Sequence, residues 1–288
     1  MTKNKANLAR ILVVLVLCIL APCAMARERA QGLGFIAPNQ KSPIAIEADN
    51  GLEWRRKDNV YIARGNASAK SGDMSVMADE LRSYYRGGEG KSSAFELYKL
   101  EAIGNVQIQS GNNNARADEA FYDLDQSTFV MTGKSMRLTS DNAILTATDR
   151  IEFWQDKNLA VARGKALAQQ GKNRIEADVL SAHFVPTADK AGASNLSIRR
   201  VDADGRVKIQ SDGNLGLANA ATYDLASGIA TLKGDVKLTQ GPNQLNGEYA
   251  EMNTKTGISK LLAGKDNTLG AKRVRAMVIP QPAKKTGG

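Results

Sequence analysis

The stretch GNVQIQSGNNNARADEAFYDL, residues 104–124, holds the plan of the whole chain. Val106 and Ile108 alternate with Asn105 and Gln107, the period of two that puts apolar side chains on one face of a strand. After Ala117-Asp118 the parity slips, and the next apolar residues are Ala120, Tyr122 and Leu124. A one-residue slip flips side chains to the other face unless a bulge or corner intervenes. The spacing therefore predicts strand, turn, strand, corner, strand. Asp118 is the corner residue, able to bond nearby backbone N–H groups. Gly104 supplies positive φ or a close backbone approach.

The same landmarks recur along the chain. Ala-Asp falls at 48–49, 78–79, 117–118 and 177–178, with variants Thr148-Asp149 and Ala218-Asn219; the steps are 30, 39, 31, 29 and 41 residues. The tetrapeptide IEAD itself stands at both 46–49 and 175–178. Glycines before short strand-like runs fall at 65, 104, 133, 164, 205 and 234, with steps of 39, 29, 31, 41 and 29. Two independent landmarks thus share one rhythm of about 30 residues, sometimes with about ten more, the signature of an array whose units cannot bury an apolar face alone. The extra residues lie in GGEGKSSAFE (87–96) and TADKAGASNL (187–196), whose composition reads as inserted loops.

A larger period overlies the first. GNVQIQS (104–110) matches GRVKIQS (205–211), AFYDL (120–124) matches ATYDL (221–225), and Trp54 is paired with Trp154. Residues 43–149 and 150–262 are read as two copies of one repeat region. DGRV at 204–207 is a hairpin-type turn signal, and no stretch competes as a long helix. The inward positions mix small residues (Ala67, Ala69, Ala166, Ala168) with large ones, a pattern compatible with an open interior or with a filled sandwich. The fold class read from the residues is all-β.

The ends differ from the repeats. Lys3, Lys5 and Arg10 precede 16 residues without a charge that end in Ala24-Met25-Ala26, the form of a cleaved signal peptide over residues 1–26, short for a membrane span; the alternatives are an uncleaved anchor and, less fitting because Pro22 precedes it, a lipoprotein acylated at Cys23. Residues 27–42 read as a flexible segment and 263–288 as a basic flexible tail. Both cysteines, Cys18 and Cys23, lie in the leader, so the mature chain has no disulfide or Cys-ligated metal to rely on. Removing Lys3, Lys5 and Arg10 takes the net charge from +9 to +6, a balance that favours anionic partners. Aromatics are only 5% and do not interleave with basic clusters, which argues against nucleic-acid binding, since single strands need stacking platforms.

SPIAIEAD at 42–49 followed by ARGNASAKSGDMSVMADEL at 63–81 resembles the start of the periplasmic LptA/OstA-like lipopolysaccharide-transport family. The family's pattern is met by Pro43, Ile44, Ile46, Ala48, Asp49, Gly65, Asn66, Ala67, Ala78, Asp79 and Leu81, and its later element by Tyr122-Asp123-Leu124 ahead of Gly133 and Tyr223-Asp224-Leu225 ahead of Gly234. The chain departs from the pattern in its doubled length and in Gly133-Lys134 and Gly164-Lys165, which lack the Asn. The resemblance implies an open, twisted β-jellyroll or solenoid-like folded sheet with an apolar groove. It implies that Ile44, Ile46, Tyr122 and Leu124, with Tyr223 and Leu225 in the second copy, line a groove for lipid A acyl chains. It implies a periplasmic bridge between inner- and outer-membrane components of like fold, with head-to-tail self-association. The competing class is a structural or adhesive β-solenoid with a filled interior and no lipid.

Catalytic readings are rejected on the residues. GGEGKS (87–92) has Tyr85 where a phosphate-binding loop needs its first glycine. His183 is the only histidine, too little for a His-rich metal site or a triad. Asp118 and Glu119 are expected to face opposite ways, unlike a paired acid and base. The expectation is a non-enzyme with no cofactor and no metal.

Overall fold

In a computed structural model, the described residues are 44–87, 96–140, 143–188, 194–211, 214–253, 256, 258–263 and 274–277. They are all-β. In chain order the strands are β1 (Ala45–Glu47), β2 (Leu52–Arg55), β3 (Val60–Ser71), β4 (Met74–Arg86), β5 (Glu96–Ser110), β6 (Asn113–Asp123), β7 (Thr128–Thr132), β8 (Met136–Ser140) and β9 (Ala143–Ala147). The second half follows with β10 (Arg150–Trp154), β11 (Leu159–Gln170), β12 (Asn173–Ala188), β13 (Ser194–Ser211), β14 (Asn214–Asp224), β15 (Ile229–Gln240), β16 (Asn243–Asn253), β17 (Ile258–Leu262) and β18 (Arg275–Met277). All are antiparallel and form one 18-stranded sheet.

Each long strand changes register at the corner line, and the β4–β5 and β12–β13 pairs shift once more, at Tyr84/Tyr85 and His183/Phe184. In β3 the shift falls between Arg64 and Ala67, in β11 between Arg163 and Ala166, in β14 between Leu217 and Ala220. The corner-line shifts sit at the Gly and Ala-Asp landmarks, so the corners are bulges, where an extra residue bends the strand. They divide the sheet into two ladders that meet along one line. The first ladder holds β2, β7, β10, β17 and one half of every long strand; the second holds β1, β8, β9, β18 and the other halves. Apolar residues of both ladders form one core cluster, with Ala67, Met131, Met136 and Ala166 fully buried. The sheet is therefore folded over along its corner line, with an apolar interior between its halves.

At most corners both the glycine and the residue after it have positive φ, Gly104 at 78° and Asn105 at 49°, Gly164 at 81° and Lys165 at 45°; at Gly133-Lys134 only the glycine does. The glycine needs its bare Cα for a second reason, because a Cβ at Gly104 would collide with the Asp79 carboxyl group and one at Gly164 with that of Asp149. The acidic residue in turn holds the residue after the glycine. Asn105 Nδ2 donates to Asp79 at 2.9 Å, Asn66 Nδ2 to Asp49 at 2.7 Å, and the Lys134 backbone N–H to Asp118 at 3.0 Å. Arg206 makes an ion pair with Asp178.

Several expectations need correction. Asp204 to Val207 is a corner of this kind and not a hairpin, since the register shift falls there and Gly205 and Arg206 both have positive φ. Only the bases of the presumed loops are described: Arg86 pairs with Glu96, and Pro186 with Leu196, while 88–95 and 189–193 lie outside the described residues. Trp54 corresponds to Phe153 and not to Trp154, because Trp54 opposes Tyr61 while Phe153 opposes Ala160 and Phe129 in the same row. Asp118 and Glu119 are both exposed on the outside, because the bulge breaks the alternation between them. The tail expected to be flexible from residue 263 contributes β18, which pairs with Gln244, Leu245 and Asn246. Residues 1–43, with the leader, and most of GGEGKS lie outside the described residues.

Candidate functional site

The site is built from rows of inward side chains that cross the strands in register. In the first ladder, Ala63 opposes Leu81, Leu81 opposes Ala102, Ala102 opposes Ala120, Ala120 opposes Met131, and Met131 opposes Ile151. The row continues through Ala162, Leu180, Ala203, Ala221, Leu232 and Ala250. Two residues along, a parallel row runs Leu100, Tyr122, Phe129, Phe153, Ala160. In the second ladder, Ile46, Ala69, Val76, Ile108, Ala115, Leu138 and Leu145 form a matching row. It extends through Ala168, Ile175 and Ile209. Neighbouring strands are about 4.8 Å apart, so each row offers an apolar side chain at every such step.

Small and large residues alternate along these rows, so facing ladders do not fill the interior evenly. In the first copy a cavity of about 170 Å³ lies between Ile46, Val76 and Ile108 on one ladder and Leu100, Tyr122 and Phe129 on the other. Its walls are mainly hydrocarbon and it is partly open to solvent, the lining expected of a site for an apolar molecule. Nearer the corner line the space closes on Ala67, Met131 and Met136.

Of the residues expected to line a groove, Ile46, Tyr122 and Tyr223 lie on inner rows, with Ile46 and Tyr223 packed against the core. Ile44 stands at the cavity's mouth, 39% exposed. Leu124 and Leu225 sit half-buried in the turns beyond the strand ends, where their N–H groups donate to Tyr98 O and Arg199 O. Val76, Leu100, Ile108 and Phe129 line the same cavity and were not singled out from sequence. Their alternation was visible, but the strand opposite each of them was not. Burial raises the Tyr122 phenol above its ordinary pKa, against a hydrogen bond to Gln155 that lowers it.

The outer face of the first ladder is charged and tightly paired. Glu53 accepts from Arg55 Nε at 2.7 Å and from Arg64 Nη1 at 2.5 Å, and these bonds lower its pKa to about 2. Burial raises the Glu80 pKa, but the bonds from Arg82 and Arg64 prevail and leave it below the ordinary value. This network covers Val60 and Ile62, which are buried beneath it, as long charged side chains cover apolar surface with their stems. His183 bonds Asp202 at 3.1 Å beside Arg200, a satisfied surface histidine. Among the described residues no group of His, Cys, Asp and Glu is arranged to hold a metal.

Among the described residues both ends of the folded sheet are open: β2 and β1 pair only with β3, and β17 and β18 only with β16. Large apolar residues are exposed at these ends: Ile44, Leu52, Trp54 and Tyr61 at one, Ile258, Val274 and Met277 at the other.

Comparison with known proteins follows this geometry. A family model described as LptA/(LptD N-terminal domain) LPS transport protein matches twice, over residues 45–153 and 146–258. An uncharacterized protein of Rhizobium meliloti (strain 1021) is 25% identical over 123 residues, covering 42% of this chain and 66% of that relative, just under two thirds of its length. The crystal structure of LptH, the LptA-homologous periplasmic component of the lipopolysaccharide transport device of Pseudomonas aeruginosa, aligns over 85% of this chain and 100% of its own. Identity there is 12% and the TM-score 0.20, so that alignment carries no argument.

Proposed function

The chain belongs to the LptA/(LptD N-terminal domain) family of LPS transport proteins, and we propose that it is a periplasmic bridge that carries lipopolysaccharide from inner to outer membrane along the groove between its ladders. The observation that carries this reading is the unbroken register of apolar rows through both copies. One acyl chain of a dozen carbons faces about 10 kcal/mol in bare water at ~0.8 kcal/mol per methylene. A row that repeats at every strand lets such a chain shift between near-equivalent positions while staying out of water. The carrier performs no covalent chemistry and needs no cofactor.

The open ends support the bridging half of the proposal. Unpaired strand edges are templates for further pairing, and strand addition from a like fold would extend both ladders and their groove. The exposed apolar residues at each end would be covered by the same contact. Partners of this kind are inner- and outer-membrane transport components with like β folds, or further copies of the chain.

The test is a photo-crosslinking amino acid placed at Ile46 and, separately, at Tyr223 in living cells, with the exposed Glu47 as control. Lipopolysaccharide adducts at the first two positions and none at Glu47 are expected. A folded, exported protein with no adduct at either inner position would overturn the carrier and leave a filled structural solenoid.

A further inference from the structure

The outer face of the second ladder holds an unusual pair. Arg116 on β6 stands directly opposite Arg137 on β8. Facing residues of an antiparallel pair have Cβ atoms about 5 Å apart, and like charges in such positions destabilise the sheet. The chain meets this problem elsewhere with a carboxylate. Arg150 and Arg163 also stand directly opposite, and Glu152, nearly buried, takes both at 3.1 and 3.3 Å. Arg64, Arg82, Arg174, Arg200 and Arg206 each have an acidic partner as well.

Arg116 and Arg137 have none among the described residues. In their own row they are flanked by the neutral Gln107 and Thr146, and in the next row by Asn114 and Thr139. Asp118, two residues beyond Arg116, is engaged at the corner by the Lys134 N–H at 3.0 Å. The equivalent pairing in the second copy is Leu217 with Lys237, so the arginine pair is not inherited from the repeat. A concavity of about 470 Å³ opens over it, lined also by Gln107, Gln109, Asn114 and Thr139. These are amide and hydroxyl donors around two guanidinium forks.

We propose that this concavity is an anion site for a phosphoryl group, in which the bound oxyanion takes the place that Glu152 fills between Arg150 and Arg163. The guanidinium fork matches phosphate oxygens two at a time, and the surrounding neutral donors satisfy the oxygens that remain. The site faces away from the apolar groove and stands independently of what the groove carries. The phosphoryl group belongs either to a soluble phosphate or to an acidic lipid headgroup.

The test titrates the full chain with inorganic phosphate and follows the arginine Nε–H resonances and the Tm. A second arm measures co-sedimentation with vesicles of phosphatidylglycerol against vesicles of phosphatidylcholine. Arg116→Gln and Arg137→Gln are each expected to weaken phosphate binding about tenfold, and the double variant to abolish the phosphate-dependent rise in Tm. Arg137→Glu builds the missing carboxylate into the chain; it is expected to raise Tm without phosphate and to remove the response, and it serves where a Gln variant folds poorly. Vesicle binding lost in the same variants assigns the lipid headgroup, and phosphate binding without vesicle binding assigns a soluble ligand. The site is overturned if wild type and double variant respond alike in both arms, or if wild type responds in neither.

Discussion

Asp79 lies against Gly104, twenty-five residues away in sequence, so closely that a Cβ on the glycine would collide with the carboxyl group. The contact is tied by Asn105, whose side chain donates to the same carboxylate at 2.9 Å. Gly104→Ala meets two penalties, a left-handed backbone and a blocked approach, and is expected to cost about 2 kcal/mol. Asp79→Ala in the same chain should recover part of that loss, so a urea-unfolding double-mutant cycle should show clear coupling.

Packing predicts a contrast along the interior. Met131 is fully buried, and Met131→Ala should cost about 3 kcal/mol in urea unfolding. Leu100 is half-buried at a cavity wall, and Leu100→Ala should cost about 1 kcal/mol. Leu100→Trp should fill the cavity, leave stability nearly unchanged and reduce the capture of a fluorescent lipid.

The carboxylates of the outer face set an acid limit. Glu53 is held at about 2, and Glu80, Glu101 and Asp178 also lie below their ordinary values. Groups depressed in the folded state contribute above their unfolded pKa and lose that contribution as pH falls through the folded pKa. The urea midpoint should therefore hold from neutral pH to about 5 and decline toward pH 2. Arg64→Gln should shallow the decline; because these pairs are exposed, the change should be small.

Leu52 and Ile258 stand exposed at opposite ends of the sheet. Leu52→Asp or Ile258→Asp should leave the Tm of the monomer unchanged. The proposed end-to-end joining of copies predicts that either variant loses concentration-dependent association in sedimentation velocity.

Much of this was legible in the sequence because a corner writes itself twice, once as Ala-Asp and once as glycine. The bulges at Asp79, Asp118 and Asp178 fall at those landmarks. Trp54 was matched to Trp154 because identical letters 100 residues apart look equivalent. The strands there align at 99, and one residue of error moves a side chain through the sheet. At the bases of the insertions at 87–96 and 187–196, Arg86 pairs with Glu96 and Pro186 with Leu196, a cross-strand pairing that glycine-, serine- and alanine-rich composition does not signal. The cavity and the Arg116–Arg137 pair depend on which strand faces which, and no local pattern carries that information.

Among the described residues the most distant partners in the strand ladder, Met74 with Ser110 and Arg174 with Gln210, are only 36 residues apart. No strand waits for the far end of the chain before it can be satisfied. Such a molecule can order itself progressively as it emerges from a pore, each hairpin settling on the last. It will also fray from its termini inward, so the first protease cuts should trim the ends and leave the middle rungs standing.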